Sequence, residues 1–141
     1  MQTKSLYFLT VFALVVGLLA ACSRGSSEAI TGSWQLASYG SPSDLAPAVP
    51  DVDTTITFGE DGSVSGNVGC NDFGGDYTVD GDNITFDNIT STLMLCAEPA
   101  VGEQETVVLN TLSGTTTFTV DSQALSIISE DGSSAISLVR K

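Results

Sequence analysis

The stretch VSGNVGCNDFGGDY, residues 64–77, sets four glycines, two asparagines and Cys70 close together. Such a stretch could cradle an anion on backbone amides, hold a metal, carry a nucleophilic thiol, or turn a corner. An anion-binding loop runs from a strand into a helix and usually offers a lysine. This stretch lies between strand-like segments, and no Lys or Arg occurs from residue 25 to 139. Zinc would have to take Cys70, Cys96 and carboxylates with no histidine anywhere in the chain, against the four N or S ligands of a structural site. Calcium is less remote, because oxygen ligands abound, yet DVDTTITF lacks the glycine and spaced oxygens of an EF-hand loop and DGDN reads first as a turn. A nucleophilic Cys70 or Cys96 needs a base and positive surroundings, and both are missing. No carboxylate pair stands out for glycosidic chemistry. The expectation is a protein without catalytic residues, cofactor or bound metal.

Charge narrows the partners. Four Lys and Arg face seventeen Asp and Glu, a net charge of −13. That field repels nucleic-acid phosphates and anionic lipid surfaces, so no nucleic-acid partner is expected. It is compatible with cation binding, a basic partner or a salty exterior, and composition does not choose among them. The N-terminus carries Lys4, then an apolar run from Leu6 to Leu19. At about 14 residues it is short for a membrane span and suited to a signal peptide. LAAC, ending at Cys22, resembles a bacterial lipobox, in which the cysteine accepts lipid and becomes the first mature residue. The chain then divides into a leader (1–21), a flexible polar tether (22–30) and one domain (31–141). The expected product is an exported, membrane-anchored lipoprotein of the cell envelope, monomeric, held by acyl chains rather than by charge.

The elements that must position the glycine-rich stretch are strands. Trp34 and Leu36, Ile56 and Phe58, Tyr77 and Val79, and Ile84 and Phe86 recur at period two, and TTFTV, ALSIIS and SAISLV follow. Asp61–Gly62, Asp80–Gly81 and Asp131–Gly132 lie between such runs and suit tight hairpins. The sheet must close or fold over to bury one face. Residues 97–113 break the pattern as one amphipathic helix, with Val101, Val108, Leu109 and Leu112 inward and Glu103 and Glu105 favouring the helix dipole. Residues 40–53, with Pro42, Pro47 and Pro50, read as an irregular excursion and as the expected interaction surface. With Cys22 committed to lipid, Cys70 and Cys96 remain as an even pair in a disulfide-permissive compartment. A bond between them would tie the glycine-rich corner to the helix entry, and the glycines would then serve sharp turns rather than ligand capture.

Residues 56–77 (ITFGEDGSVSGNVGCNDFGGDY), followed by STLMLCAEP and a helix containing GEQE, resemble the META domain of HslJ-like heat-shock-inducible proteins. SWQL upstream is similar to that family's opening strand, and the resemblance spans residues 31–139. It implies a small antiparallel lipocalin-like β-barrel of about seven or eight strands with one α-helix packed on it, and a Cys70–Cys96 disulfide. It implies links to envelope stress, antibiotic tolerance, secretion or motility, and virulence, and names no reaction. Two functions follow as expectations: a non-catalytic envelope lipoprotein that binds another envelope protein, or a carrier or sensor with a small molecule inside the barrel. The aromatic supply of the domain, Trp34, Tyr39, Phe58, Phe73, Tyr77, Phe86 and Phe118, suits a filled small barrel.

Overall fold

The structure is a computed structural model that describes residues 25–141; the leader and Cys22 lie outside the described residues. A short helix α1 (Gly25–Ile30) leads into β1 (Gly32–Ser41), β2 (Asp44–Pro47), β3 (Thr55–Phe58), β4 (Ser63–Asn67), β5 (Asp72–Asp80) and β6 (Asn83–Ser91). Helix α2 (Pro99–Thr111) precedes β7 (Gly114–Val120), β8 (Ala124–Ile128) and β9 (Ala135–Arg140). Every pairing is antiparallel, and the order β1-β3-β4-β5-β6-β7-β8-β9 closes on itself through β1–β9. The result is an eight-stranded barrel, the mainly β architecture expected, with β2 as a ninth strand beside it.

Closure follows from the alternation of side chains. Trp34, Leu36, Ile56, Phe58, Val64, Phe73, Tyr77, Ile84, Phe86, Phe118, Leu125, Ile127, Ile136 and Leu138 point inward and form one cluster. A bulge between Leu36 and Ser38 shifts the parity of β1, so that Tyr39 also turns inward. Phe58 meets Tyr77 edge-on, with ring centroids 5.1 Å apart. Side chains thus occupy the barrel axis. Gly66 is required where β4 crosses β3, because a Cβ there would collide with the Thr55 carbonyl. The Asp–Gly hairpins form as expected, with Gly62, Gly81 and Gly132 at positive φ.

The two helices close the two ends. Ile30 of α1 is fully buried, and the Trp34 indole N–H donates to its carbonyl at 2.7 Å. The Arg140 guanidinium lies 4.1 Å from the Trp34 ring centroid and donates to the Ala29 and Thr31 carbonyls at 2.7 and 3.0 Å. Those contacts satisfy the open carbonyls at the end of α1. From Gly25 onward the expected tether is therefore part of the folded domain: its last residue carries an apolar side chain that fills the barrel mouth. At the opposite end α2 buries Val101 and Val108, followed by Leu112, with two polar residues, Gln104 and Thr111, on the same face. Leu109 is only half-buried.

The segment 40–53 is less irregular than its prolines suggest. Ser38–Ser41 pairs with Asp44–Pro47, filling the part of the β1 edge that short β3 leaves open. Pro47 is tolerated because it sits at the end of an outer strand. Beyond it, the Val49 N–H donates to the Gln104 side-chain oxygen at 2.7 Å, and Thr54 is buried. This segment is tied into the fold through β1 and Gln104, while most of its side chains stay exposed. Among the described residues no helix is long and apolar enough to cross a membrane.

Candidate functional site

The glycine-rich stretch does hold an anion on its amides, and the anion belongs to the chain itself. After β4 the backbone turns through residues 68–71 beneath α2. One carboxylate oxygen of Glu105 accepts the Cys70 and Asn71 N–H groups at 2.9 and 2.7 Å. The other accepts the Asn71 side-chain amide at 2.6 Å. Gly69 lies against the Glu105 side chain, where a Cβ would crowd its carboxylate. This small nest of amides replaces the lysine that the sequence lacks. One residue earlier on α2, the buried Gln104 donates to the Val68 carbonyl at 2.7 Å while accepting from Val49. Adjacent side chains of one helix thus fasten two loops.

Asn71 passes this order to the next loop. Its side-chain oxygen accepts the Met94 N–H at 2.7 Å and the Thr92 hydroxyl at 2.8 Å. Its amide nitrogen donates to the Met94 carbonyl at 3.0 Å. Cys70 is joined to Cys96 by a disulfide, with Cα atoms 5.6 Å apart. The loop 92–96 is therefore clamped at both ends and in the middle. Its side chains face water: Leu93 is 95% exposed, Met94 62% and Leu95 98%. A run of three apolar side chains in solvent is the kind of feature that marks an interaction site.

The chemistry of this cluster is limited by its bonds. Among the described residues, Cys70, Cys96 and Glu105 bring ligand-type atoms within 4.8 Å of one another. Both sulfurs are spent in the disulfide, and the carboxylate already takes three N–H donors. The cluster fits a structural clamp and does not fit a metal centre. Neither cysteine is a free thiol. Elsewhere, a groove of about 750 Å³ runs past Asp82, Thr117, Thr119, Ser126 and Ile128, and it is open to solvent rather than enclosed in the barrel. Three turn aspartates have lowered pKa values. The Asp131 carboxylate accepts the Ser133 N–H and the hydroxyls of Ser129 and Ser133, which brings it down to about 2. Side-chain and backbone hydrogen bonds from Ser63 lower Asp61, and backbone N–H groups of Gln123 and Ala124 lower Asp121.

Of the residues singled out from sequence, Cys70 and Cys96 meet at this site, while Cys22 lies outside the described residues. Asn71 and Gln104 escaped sequence reasoning, as did Leu93 and Leu95, and Glu105 was read only as a partner of the helix dipole. Two signals were present: a glutamine in line with Val101 and Val108 on the inner face of α2, and LML between a threonine and a cysteine.

A family model described as the META domain matches residues 27–141. Comparison with curated proteins gives no match. The fold is similar to that in the NMR structure of a protein from Burkholderia xenovorans, with a TM-score of 0.66 and 24% identity over 82% of this chain and 86% of that one. A second NMR structure gives a TM-score of 0.62 at 18% identity, covering 79% of this chain and 91% of the other. The crystal structure of a DUF4847 family protein from Bacteroides vulgatus gives 0.57 at 17% identity, covering 83% and 98%.

Proposed function

This chain belongs to the META domain family, and from that premise we propose that it is a non-catalytic, lipid-anchored protein of the bacterial cell envelope that works by binding another protein. The observation that carries the reading is the rigidly clamped, apolar loop 92–96. Burying its three side chains against a partner would remove apolar area from water. The clamp reduces the entropy lost on docking. The net charge of −13 disfavours nucleic acid and self-association, and favours a basic partner surface. The apolar and aromatic side chains packed inside the barrel support protein binding over a small molecule carried within it.

The topology agrees with an anchor at Cys22. Helix α1 closes one end of the barrel, and loop 92–96 leaves the other. Only residues 23 and 24 separate Cys22 from α1. Lipid on Cys22 would hold the α1 end at the membrane and present the apolar loop away from it. Intact mass spectrometry of the membrane-bound protein should show a diacylglyceryl-modified chain beginning at Cys22, and Cys22→Ala should leave the membrane fraction. A Cys22→Ala chain that stays equally membrane-bound would remove the anchor from this reading. For binding, the lipidated protein is cross-linked in envelopes beside a Leu93→Ser/Leu95→Ser variant. A specific adduct that the variant loses supports the loop as the binding surface. An adduct that the variant keeps places binding elsewhere.

A further inference from the structure

Loop 92–96 has the form of a bound peptide. Alternate residues are fastened to the scaffold. The Thr92 N–H donates to the Asp72 carbonyl at 3.0 Å, Met94 engages Asn71 through both its N–H and its C=O, and Cys96 is bonded to Cys70. Between them Leu93 and Leu95 project almost fully into solvent. Among the described residues, no hydrogen-bond partner meets the backbone N–H or C=O of either leucine. A held segment with alternate side chains outward and a free backbone edge is ready to be paired by another protein as an added strand. Peptidase–inhibitor complexes are built on such pre-organised segments, whose backbone moves little on binding.

We propose that loop 92–96 is a substrate-like inhibitory loop for serine endopeptidases with an apolar S1 pocket, with Leu93 entering that pocket and Leu93–Met94 as the reactive bond. This rests on the reading that the loop docks a protein, and it names the class of partner. Size and charge choose the pocket. An acidic S1 pocket of the trypsin type needs Lys or Arg, and residues 25–139 contain neither, whereas a hydrophobic slot accepts leucine. Exposed Asp72 and Glu98 flank the loop, so the complementary rim of the peptidase is basic. Leu93 is chosen over Leu95 because both of its neighbours are held by backbone hydrogen bonds, the leaving Met94 N–H among them, whereas Cys96, which follows Leu95, is held through its side chain.

The same clamps explain inhibition in place of digestion. The peptidase serine oxygen bonds to the Leu93 carbonyl carbon, and its proton passes to the histidine. The Leu93–Met94 C–N bond then breaks, and the histidine gives that proton to the Met94 nitrogen. An ordinary leaving amine diffuses away and water hydrolyses the ester. Here Asn71 and the disulfide keep the Met94 amine in place, and the Thr92–Asp72 bond keeps the acyl side in place. The amine re-attacks the ester, the peptide bond re-forms, and the proton returns through the histidine to the serine. A tethered nucleophile outcompetes water through its high effective concentration. No further reactant is consumed.

The test titrates the full chain, disulfide formed, against chymotrypsin, subtilisin and trypsin with chromogenic peptide substrates. The wild type should inhibit chymotrypsin or subtilisin stoichiometrically and leave trypsin active. Leu93→Lys should weaken chymotrypsin inhibition by about 100-fold and create trypsin inhibition, whereas Leu95→Ala should change either by less than about 10-fold. Asn71→Ala should convert inhibition into steady cleavage at Leu93–Met94, read by mass spectrometry. Because that variant can lose stability, Leu93→Lys, at an exposed position, carries the decision. Failure of the wild type to inhibit both apolar-pocket enzymes, steady cleavage of the wild type, or no exchange of specificity by Leu93→Lys would overturn the proposal. If inhibition fails while the Leu93→Ser/Leu95→Ser variant still loses its cross-linked adduct, docking stands and only the peptidase class falls. If both fail, the docking reading falls with it.

Discussion

Glu105 shows how one side chain can decide what a loop is for. Its position in the first half of α2 suggested a favourable interaction with the helix dipole, but it lies past the first turn and points at residues 70 and 71. Replacing it with alanine leaves two backbone N–H groups and one side-chain amide proton without their acceptor. Glu105→Ala should therefore lower unfolding free energy by about 2–3 kcal/mol, measured by denaturant titration. Glu105→Gln should recover only part of this, because its amide would face donors where the carboxylate offered acceptors. A loss below about 0.5 kcal/mol for Glu105→Ala would mean that water replaces the carboxylate without cost.

Among the elements, the α2 end is fastened by covalent and polar links together, and the α1 end by Trp34 and Arg140. The disulfide spans 26 positions. The chain-entropy estimate for a loop of that size is about 3.5 kcal/mol. Replacing both cysteines with serine should cost about 2–4 kcal/mol in a denaturant titration, without unfolding the barrel at room temperature. Reduction should also free the Cys96 end of the exposed loop. Limited proteolysis of the reduced protein should then cut first after Leu93 or Leu95, while the oxidised protein resists. Equal cutting rates in the two states would mean that Asn71 alone holds the loop.

At the scale of the whole molecule, acid should act on the turns. The carboxylates of Asp61, Asp121 and Asp131 are all lowered by hydrogen bonds donated to their charged forms. A group whose folded pKa is depressed adds stability above its unfolded value, about 3.9 for aspartate, and that contribution is lost as pH falls through the folded value. The window for Asp131 runs from about 4 down to about 2. The thermal midpoint should fall across that window. A variant carrying Asp61→Asn, Asp121→Asn and Asp131→Asn, which keeps acceptor oxygens in the turns but cannot titrate there, should fall less steeply. Identical slopes for the two proteins would assign acid lability to other carboxylates.

Sequence alone determined the strands and hairpins of a sheet that must close or fold over, because inward residues recur at period two and Asp–Gly pairs punctuate them, both local signals; the barrel itself was implied by the META resemblance. Sequence also determined the cysteine pair, once Cys22 was set aside, and the META resemblance, which rests on short runs of consecutive residues. Tertiary structure decided what locality hides. Gln104 and Glu105 read as ordinary helix polar residues until α2 is laid across turns more than thirty positions away. Segment 40–53 reads as an excursion until the unpaired edge of β1 becomes available to it. Leu93 and Leu95 alternate like core residues, and only the disulfide and the Asn71 clamp show that they are held outside. A polar or apolar side chain takes its role from the groups that close around it, and those groups come from distant parts of the chain.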